Sequence, residues 1–344
     1  MSRSAVLMFV VLVMVLLALS AFSFPKFKIL SFGFVGPEFT QTRVLFVGDI
    51  MLGRYVETLI KERGPDYPFA GLDPLQNRHD YVVGNFEAPI SQNHKQTKAD
   101  SLDFSIATTS ILALPNYISI LSLANNHTFD SGEEDLFFTR DFLKEKGVSV
   151  FGDPNLVNEQ SVTFISHDGQ RIALIAINAV TDTDVVTASN LISKLELETA
   201  MQIVYIHWGE EYVLRHNSQQ ETLAKSLIDS GADAIIGHHP HVIQDIDIYK
   251  GAPIFYSLGN FVFDQYFNDD VQVGLGVELT LVNSDISYRL VPFTSKKTES
   301  SPQLMTVNER RELLSVISEK SSPNIAEKLK KSGTIYIADV LASL

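Results

Sequence analysis

The sequence predicts an α/β layered fold, and three observations carry that expectation. Short runs that are apolar on both faces alternate with segments of helical period, as in strands covered by helices on both sides. Those runs stop at clusters of His, Asp, Asn and Glu, and α/β folds keep their sites at such strand ends. With 344 residues and 45% hydrophobic content, the chain is long enough to bury one large domain with at most a small appendage.

Taken in chain order, residues 5–24 carry no charge and follow Arg3. Residues 1–24 therefore read as an N-terminal transmembrane anchor, with a cleaved signal peptide as the alternative, since Ala18 and Ser20 offer small residues for cleavage. Lys26 and Lys28 weaken the orientation signal. A single span ahead of a large acidic domain is expected to hold that domain outside the cytoplasm at the cell membrane, or to release it as a secreted or periplasmic form after cleavage. Residues 25–41, rich in Phe, Gly and Pro without period, read as a linker.

The globular domain is expected over residues 42–295. Strand-like runs fall at 44–47, 81–83, 118–123, 172–177, 203–206, 234–236 and 254–256. One helix is expected to open at Ser131, with Glu134 completing a capping box, and to end at Gly147. A second runs from about Gln219 to Asp229, with Leu223, Ala224, Leu227 and Ile228 on one face. After Gly274 the period changes, and 275–282 and 288–293 read as consecutive antiparallel strands. Residues 296–344 are predicted to form a C-terminal helical extension, with Leu313, Leu314, Ile317, Ile325 and Leu329 apolar.

Composition excludes several functions. The net charge of −14, with no basic block, argues against a nucleic-acid partner. The absence of cysteine excludes disulfides, thiolate metal sites and a thiol nucleophile. Any metal must take nitrogen and oxygen ligands, which suits Mn, Fe or Zn over copper.

Five strand ends supply such ligands: Gly48-Asp49, with Arg54 beyond; Gly84-Asn85-Phe86-Glu87; Asn125-Asn126-His127, with Asp130 beyond; His207-Trp208-Gly209-Glu210-Glu211; and Gly237-His238-His239-Pro240-His241. Singly, each has an ordinary explanation as a turn or a satisfied polar residue. Together they point to one site. In an extended segment His239 and His241 would point the same way, able to serve one metal or two, and His238 would face the other way in a structural role. Arg54 is a candidate anion clamp, against a salt bridge to Glu57. Trp208 and Tyr212 form either an aromatic wall or plain packing. Asn260 and Asp264 follow another strand end, where Gly259-Asn260 reads first as a tight turn and second as site lining; His79, His94, His167 and His216 read as surface residues.

The same blocks carry a resemblance. Val47-Gly48-Asp49-Ile50-Met51-Leu52-Gly53-Arg54, Asn85-Phe86-Glu87, Ala124-Asn125-Asn126-His127, His207-Trp208-Gly209-Glu210-Glu211-Tyr212, Gly237-His238-His239-Pro240-His241-Val242 and Tyr256-Ser257-Leu258-Gly259-Asn260-Phe261-Val262-Phe263-Asp264 occur in the order of the CapA (PgsA) family of capsule and poly-γ-glutamate biosynthesis proteins. The resemblance spans residues 43–264. It implies a four-layer α/β/β/α sandwich of the metallo-dependent phosphatase type, with one or two divalent cations at the strand ends. It also implies metal ligation by Asp49, Glu87, Asn126, His207, His239 and His241, with His127 as general acid and Arg54 holding the anion. Two positions depart from the phosphatase pattern: Met51 stands where a histidine is expected, and Asn85 where a bridging aspartate is expected, with Glu87 the nearest carboxylate. Implied partners are an anionic polymer or phosphoester, the membrane, and membrane-bound synthase subunits. Metal-dependent hydrolysis, a general phosphoesterase and a non-catalytic polymer-binding assembly subunit all remain open.

Overall fold

The computed structural model describes residues 40–337, apart from 76, 99 and 181–183. The expected anchor and nearly all of the expected linker lie outside the described residues. Among the described residues, no helix is long and apolar enough to cross a membrane.

The strands are β1 (Gln41–Ile50), β2 (Tyr81–Phe86), β3 (Ile120–Ser122), β4 (Ser149–Phe151), β5 (Val162–His167), β6 (Gln170–Asn178), β7 (Met201–His207), β8 (Ala234–His238), β9 (Ile246–Tyr249), β10 (Ala252–Phe255), β11 (Asn260–Val262), β12 (Val273–Val282), β13 (Asp285–Thr294), β14 (Gln303–Leu304) and β15 (Thr334–Ile337). They form two sheets. The first runs β14-β13-β12-β1-β2-β3-β4, with β11 beside β1 and β15 beside β13; the second runs β5-β6-β7-β8-β10-β9. In the first sheet β1, β2, β3 and β4 are parallel, while β12 and β13 are antiparallel as expected. In the second, β6, β7, β8 and β10 are parallel.

Strand alternation divides the apolar residues among three cores. Val44, Phe46, Val83 and Ile120 face Ile172, Leu174, Ile203, Tyr205 and Ile236 across the gap between the sheets. The alternate residues Leu45 and Val47 pack outward with Val56 and Ile60 of α1 (Arg54–Arg63) and Leu143 of α2 (Glu133–Glu145). On the other sheet, Ala173, Ile175, Val204 and Ile235 pack outward on Ala188 and Ile192 of α3 (Val185–Glu196) and Ala224 and Leu227 of α4 (Ser218–Asp229). Each central strand is buried on both faces, which explains its unbroken apolar sequence.

Two expectations need correction. The helix after residue 131 has no capping box: Gly132, at φ 86°, is its N-cap, and no side chain caps the helix. The preceding turn, in which Asp130 N–H donates to the His127 carbonyl and Gly132 N–H to that of Phe129, belongs to the site-forming loop. Nor is the tail an appendage. Helices α5 (Val307–Lys320) and α6 (Pro323–Ser332) send Leu314, Ile317, Ile325 and Leu329 into the core between the sheets, and β14 and β15 both pair with β13.

Candidate metal centre

Parallel strands deliver their carboxyl ends to a common edge. Asp49 is the last residue but one of β1, Asn85 and Glu87 lie at the end of β2, His207 ends β7, and His238 ends β8. Glycine permits the close packing there. A Cβ on Gly48 would stand 1.9 Å from the Gly259 carbonyl oxygen, so only glycine lets β11 lie against β1. Asp49, Asn85 and Glu87 are wholly buried, and His207, His238, His239 and His241 are at most 5% exposed.

Two sets of donors meet at this edge: Glu87 with His207 and His239, and Asp49 with Glu87 and His241. Within each set the donor atoms lie within 4.8 Å of one another, and Glu87 belongs to both. Its position two residues beyond Asn85 thus restores a shared carboxylate that the departure at Asn85 had put in doubt. Asn126 lies beside the first set, its Oδ1 2.7 Å from His207 Nε2. Met51 contributes no ligand; it is buried, and its sulfur accepts from the Gly53 N–H.

A brace of amides orients these groups. Asn125 Nδ2 donates to the Phe86 carbonyl at 2.9 Å and to Asn85 Oδ1 at 3.1 Å. That turns Asn85 Nδ2 toward Asp49 Oδ1 at 2.9 Å, Glu87 Oε2 at 3.1 Å and His207 Nδ1 at 3.2 Å. Asn85 therefore holds two carboxylates as a neutral donor where a bridging aspartate was expected. Of the other oxygens, Glu87 Oε1 is buried without a hydrogen bond, as is His239 Nδ1, and buried Asp49 Oδ2 has only His241 Nδ1 near it, at 3.3 Å. Buried polar atoms are rarely left so. All three are atoms of residues in the two donor sets, and a divalent cation is the partner whose chemistry fits them.

The electrostatics agree. Burial pushes the Glu87 carboxyl well above its ordinary range, reinforced by the charges of Asp49 and Glu211. Burial also opposes charge on Asp49, but the hydrogen bond from His238 and the imidazole of His241 hold it well below the usual value. Burial and the neighbouring His239 push His207 well down, and burial together with His241 lowers His239 to about 4. Neutral imidazoles and crowded carboxylates are the state a cation binds.

The triple-histidine segment is not extended. His239 and His241 have φ of 94° and 57°, so the chain bends after β8 and sends one ring to each donor set. His238, the last residue of β8, belongs to neither donor set; it faces inward and contacts Asp49 Oδ1 through Nδ1 at 3.2 Å. His127 stands at the margin with Nδ1 2.9 Å from Asp130 Oδ2, its ring stacked on Phe104 at 3.9 Å. Asp130 also accepts from the Phe104 N–H at 2.7 Å.

Arg54 does not face an open anion site. It is 6% exposed, and its guanidinium grips Asp264, Nε lying 3.0 and 3.2 Å from the two oxygens, while Nη1 donates to the Ser101 carbonyl at 3.0 Å. The candidate partner Glu57 pairs with Lys61 and His94 instead. Trp208 is packing, with Nε1 donating to the Tyr256 carbonyl at 2.8 Å, whereas Tyr212 stays 40% exposed and edge-on to Phe267. The four histidines expected at the surface are all engaged: His79 with Glu278, His94 with Glu57, His167 with Thr42, and His216 with Asp245. Sequence reasoning missed Asn125 and Asp130 as orienting groups. Their signal was adjacency to Asn126 and His127.

The family model described as bacterial capsule synthesis protein PGA_cap matches residues 43–265. The PGA biosynthesis protein CapA of Bacillus subtilis (strain 168) is 34% identical over 239 residues, covering 64% of this chain and 63% of that protein. The capsule biosynthesis protein CapA of Bacillus anthracis is 34% identical over 251 residues, covering 66% and 61%. The match thus spans under two thirds of the length of these relatives. Among solved structures, a phosphatase from Mycoplasma pneumoniae aligns with TM-score 0.46 and 15% identity, covering 78% of this chain and 92% of that one. A 5'-nucleotidase from Staphylococcus aureus, described as putative, aligns with TM-score 0.45 and 11% identity, covering 78% and 54%. With a family model matched over most of its length, the chain belongs to the bacterial capsule synthesis protein PGA_cap family.

Proposed function

We propose that this chain is a membrane-anchored, extracytoplasmic protein acting in the synthesis or export of an anionic surface polymer, poly-γ-glutamate, through a divalent-metal hydrolytic centre of the metallo-dependent phosphatase type. One observation carries the reading: two buried donor sets share Glu87, and their residues carry the unsatisfied buried atoms Glu87 Oε1 and His239 Nδ1. The polymer is taken from the relatives, two of which are named for capsule or PGA biosynthesis. The anchor is supported by the uncharged residues 5–24.

Asp49, Glu87, Asn126, His207, His239 and His241 would hold Mn, Fe or Zn. When bound, such cations lower the pKa of water and take up negative charge developing on a phosphoester oxygen. The chain's own residues do the rest. Asp130 accepts from His127 Nδ1 and so leaves Nε2 as the atom that delivers a proton to the leaving oxygen. The Phe104 ring covers one face of that imidazole and keeps water from it. Asn85 holds both carboxylates in place without adding charge.

A second reading, a non-catalytic polymer-handling subunit, is favoured by one feature: Arg54, the expected anion clamp, is committed to Asp264. Metal analysis of the full chain in detergent, hydrolysis of bis(p-nitrophenyl) phosphate by wild type and His127→Ala, and polymer yield from cells carrying each form separate the two. Bound metal with hydrolysis that falls at least 100-fold in His127→Ala supports the catalytic reading. Polymer lost on deletion but restored in full by His127→Ala supports the handling role. A chain that binds no divalent metal overturns the proposed centre.

A further inference from the structure

An imidazole offers a cation only its unprotonated nitrogen, so each histidine here must hold one tautomer. At His241, Nδ1 lies 3.0 Å from Asn260 Oδ1 and 3.3 Å from Asp49 Oδ2, while Nε2 faces Glu87 Oε1 at 3.6 Å. The Asn260 amide is oriented independently of the histidine. Its Nδ2 lies 3.0 Å from the Val271 carbonyl oxygen, a group that can only accept, and 2.9 Å from Gln265 Oε1. Asn260 Oδ1 is therefore the end that meets His241, Nδ1 carries the proton, and the Nε2 lone pair is turned toward Glu87.

The brace closes on itself. Gln265 Nε2 donates to Tyr212 Oη at 3.0 Å, and the Tyr212 N–H donates to the carbonyl of Pro240, next to His241, at 2.8 Å. The Asn260 backbone is also gripped from both sides. It lies in register beside Asp49, and a Cβ on Gly274 would stand 2.1 Å from its carbonyl oxygen. Once Asp49 Oδ2 turns to a cation, Asn260 is the acceptor left to hold the Nδ1 proton.

We infer that Asn260 is a positioning residue that fixes the His241 tautomer and so prepares the Asp49, Glu87 and His241 group, but not the Glu87, His207 and His239 group, to take a divalent cation. This rests on the metal reading of the centre. The test titrates metal-stripped full chain in detergent with Mn²⁺, reading the number of ions and each affinity by calorimetry and electron paramagnetic resonance. Asn260→Leu removes the acceptor at similar size; one of two wild-type affinities is expected to fall roughly 10- to 100-fold while the other holds within twofold. Asn260→Asp keeps an acceptor and is expected to restore the lost affinity to within about fivefold, which a purely structural role would not give. Gln265→Ala, which loosens the amide without touching the centre, is expected to show the same one-sided loss at smaller size. It carries the test should Asn260→Leu fail to fold. Wild-type affinities in both Asn260→Leu and Gln265→Ala, or equal weakening of both sites, overturns the inference alone. A wild-type chain that takes up no Mn²⁺ overturns the metal reading and this inference with it.

Discussion

Replacing Asp264 by alanine is expected to destabilise the chain by about 4–6 kcal/mol, most of it from stranding Arg54. Removing one member of a buried ion pair costs about 3–5 kcal/mol because the remaining charge is left without water or partner. Arg54 is in that position: it is 6% exposed, lies under the Phe104 and Phe263 rings at 4.7 and 5.6 Å, and keeps only the Ser101 carbonyl as an acceptor. Asp264 Oδ2 also accepts the Tyr55 N–H at 3.0 Å, in the uncapped first turn of α1, and losing that bond adds about 1 kcal/mol. Urea unfolding read through Trp208 measures the loss, since the chain has one tryptophan and it is buried. In a cycle with Arg54→Met, the two replacements together are expected to cost at least about 2 kcal/mol less than the sum of the single changes. A loss below about 1 kcal/mol for Asp264→Ala, or a coupling near zero, would refute the reasoning and return Arg54 to the substrate.

Three further outcomes follow from groups described above or close to them. Burial raises Glu278, but hydrogen bonds with His79 and Arg289 overcome it and bring the carboxyl down to about 2. Stability from this depressed group is present above its unfolded pKa of about 4.5 and lost as pH falls toward 2, so Glu278→Gln should cost about 1–2 kcal/mol at pH 7 and almost nothing at pH 2, read by urea midpoints at both. Asp233 has the opposite sign: burial, with Glu196 nearby, raises it to about 6 against the hydrogen bond from the Gln202 N–H. Its contribution is full below about 3.8 and lost as pH rises through 6, so Asp233→Asn should stabilise by about 1–2 kcal/mol at pH 7 and leave pH 3 unchanged. A chelator should lower the melting temperature of wild type by several degrees and leave Glu87→Gln nearly unmoved, because a cation bound only to the folded state stabilises it by mass action. Equal shifts in the two proteins would count against Glu87 as the shared ligand.

The layered architecture was legible because its strands are buried on both faces and therefore carry unbroken apolar runs, at 44–47, 172–177 and 203–206. The ligand types at the strand ends were legible for the same reason, since an apolar run that stops at His207 or His238 marks where the sheet meets its edge. Backbone direction was not legible. Nothing in Gly237-His238-His239-Pro240-His241 announces two residues of positive φ, so an extended segment was expected where the chain bends and sends His239 and His241 to different donor sets. Partnerships across long separations were equally hidden: Arg54 meets Asp264 across 210 positions, and a closer candidate, Glu57, looked sufficient. The tail misled because amphipathic period alone does not say what an apolar stripe faces. Leu314, Ile317, Ile325 and Leu329 face the centre of the protein.

That last placement bears on how the protein is made. The core between the sheets includes Ile325, Leu329 and Ile335, and β15 completes the edge beside β13 only after β1, the first strand, has long been synthesised. Residues through β15 must therefore be made before the core between the sheets can close. Trimming the chain back to residue 306 should leave an open, protease-sensitive body, where trimming an independent appendage would leave a folded one.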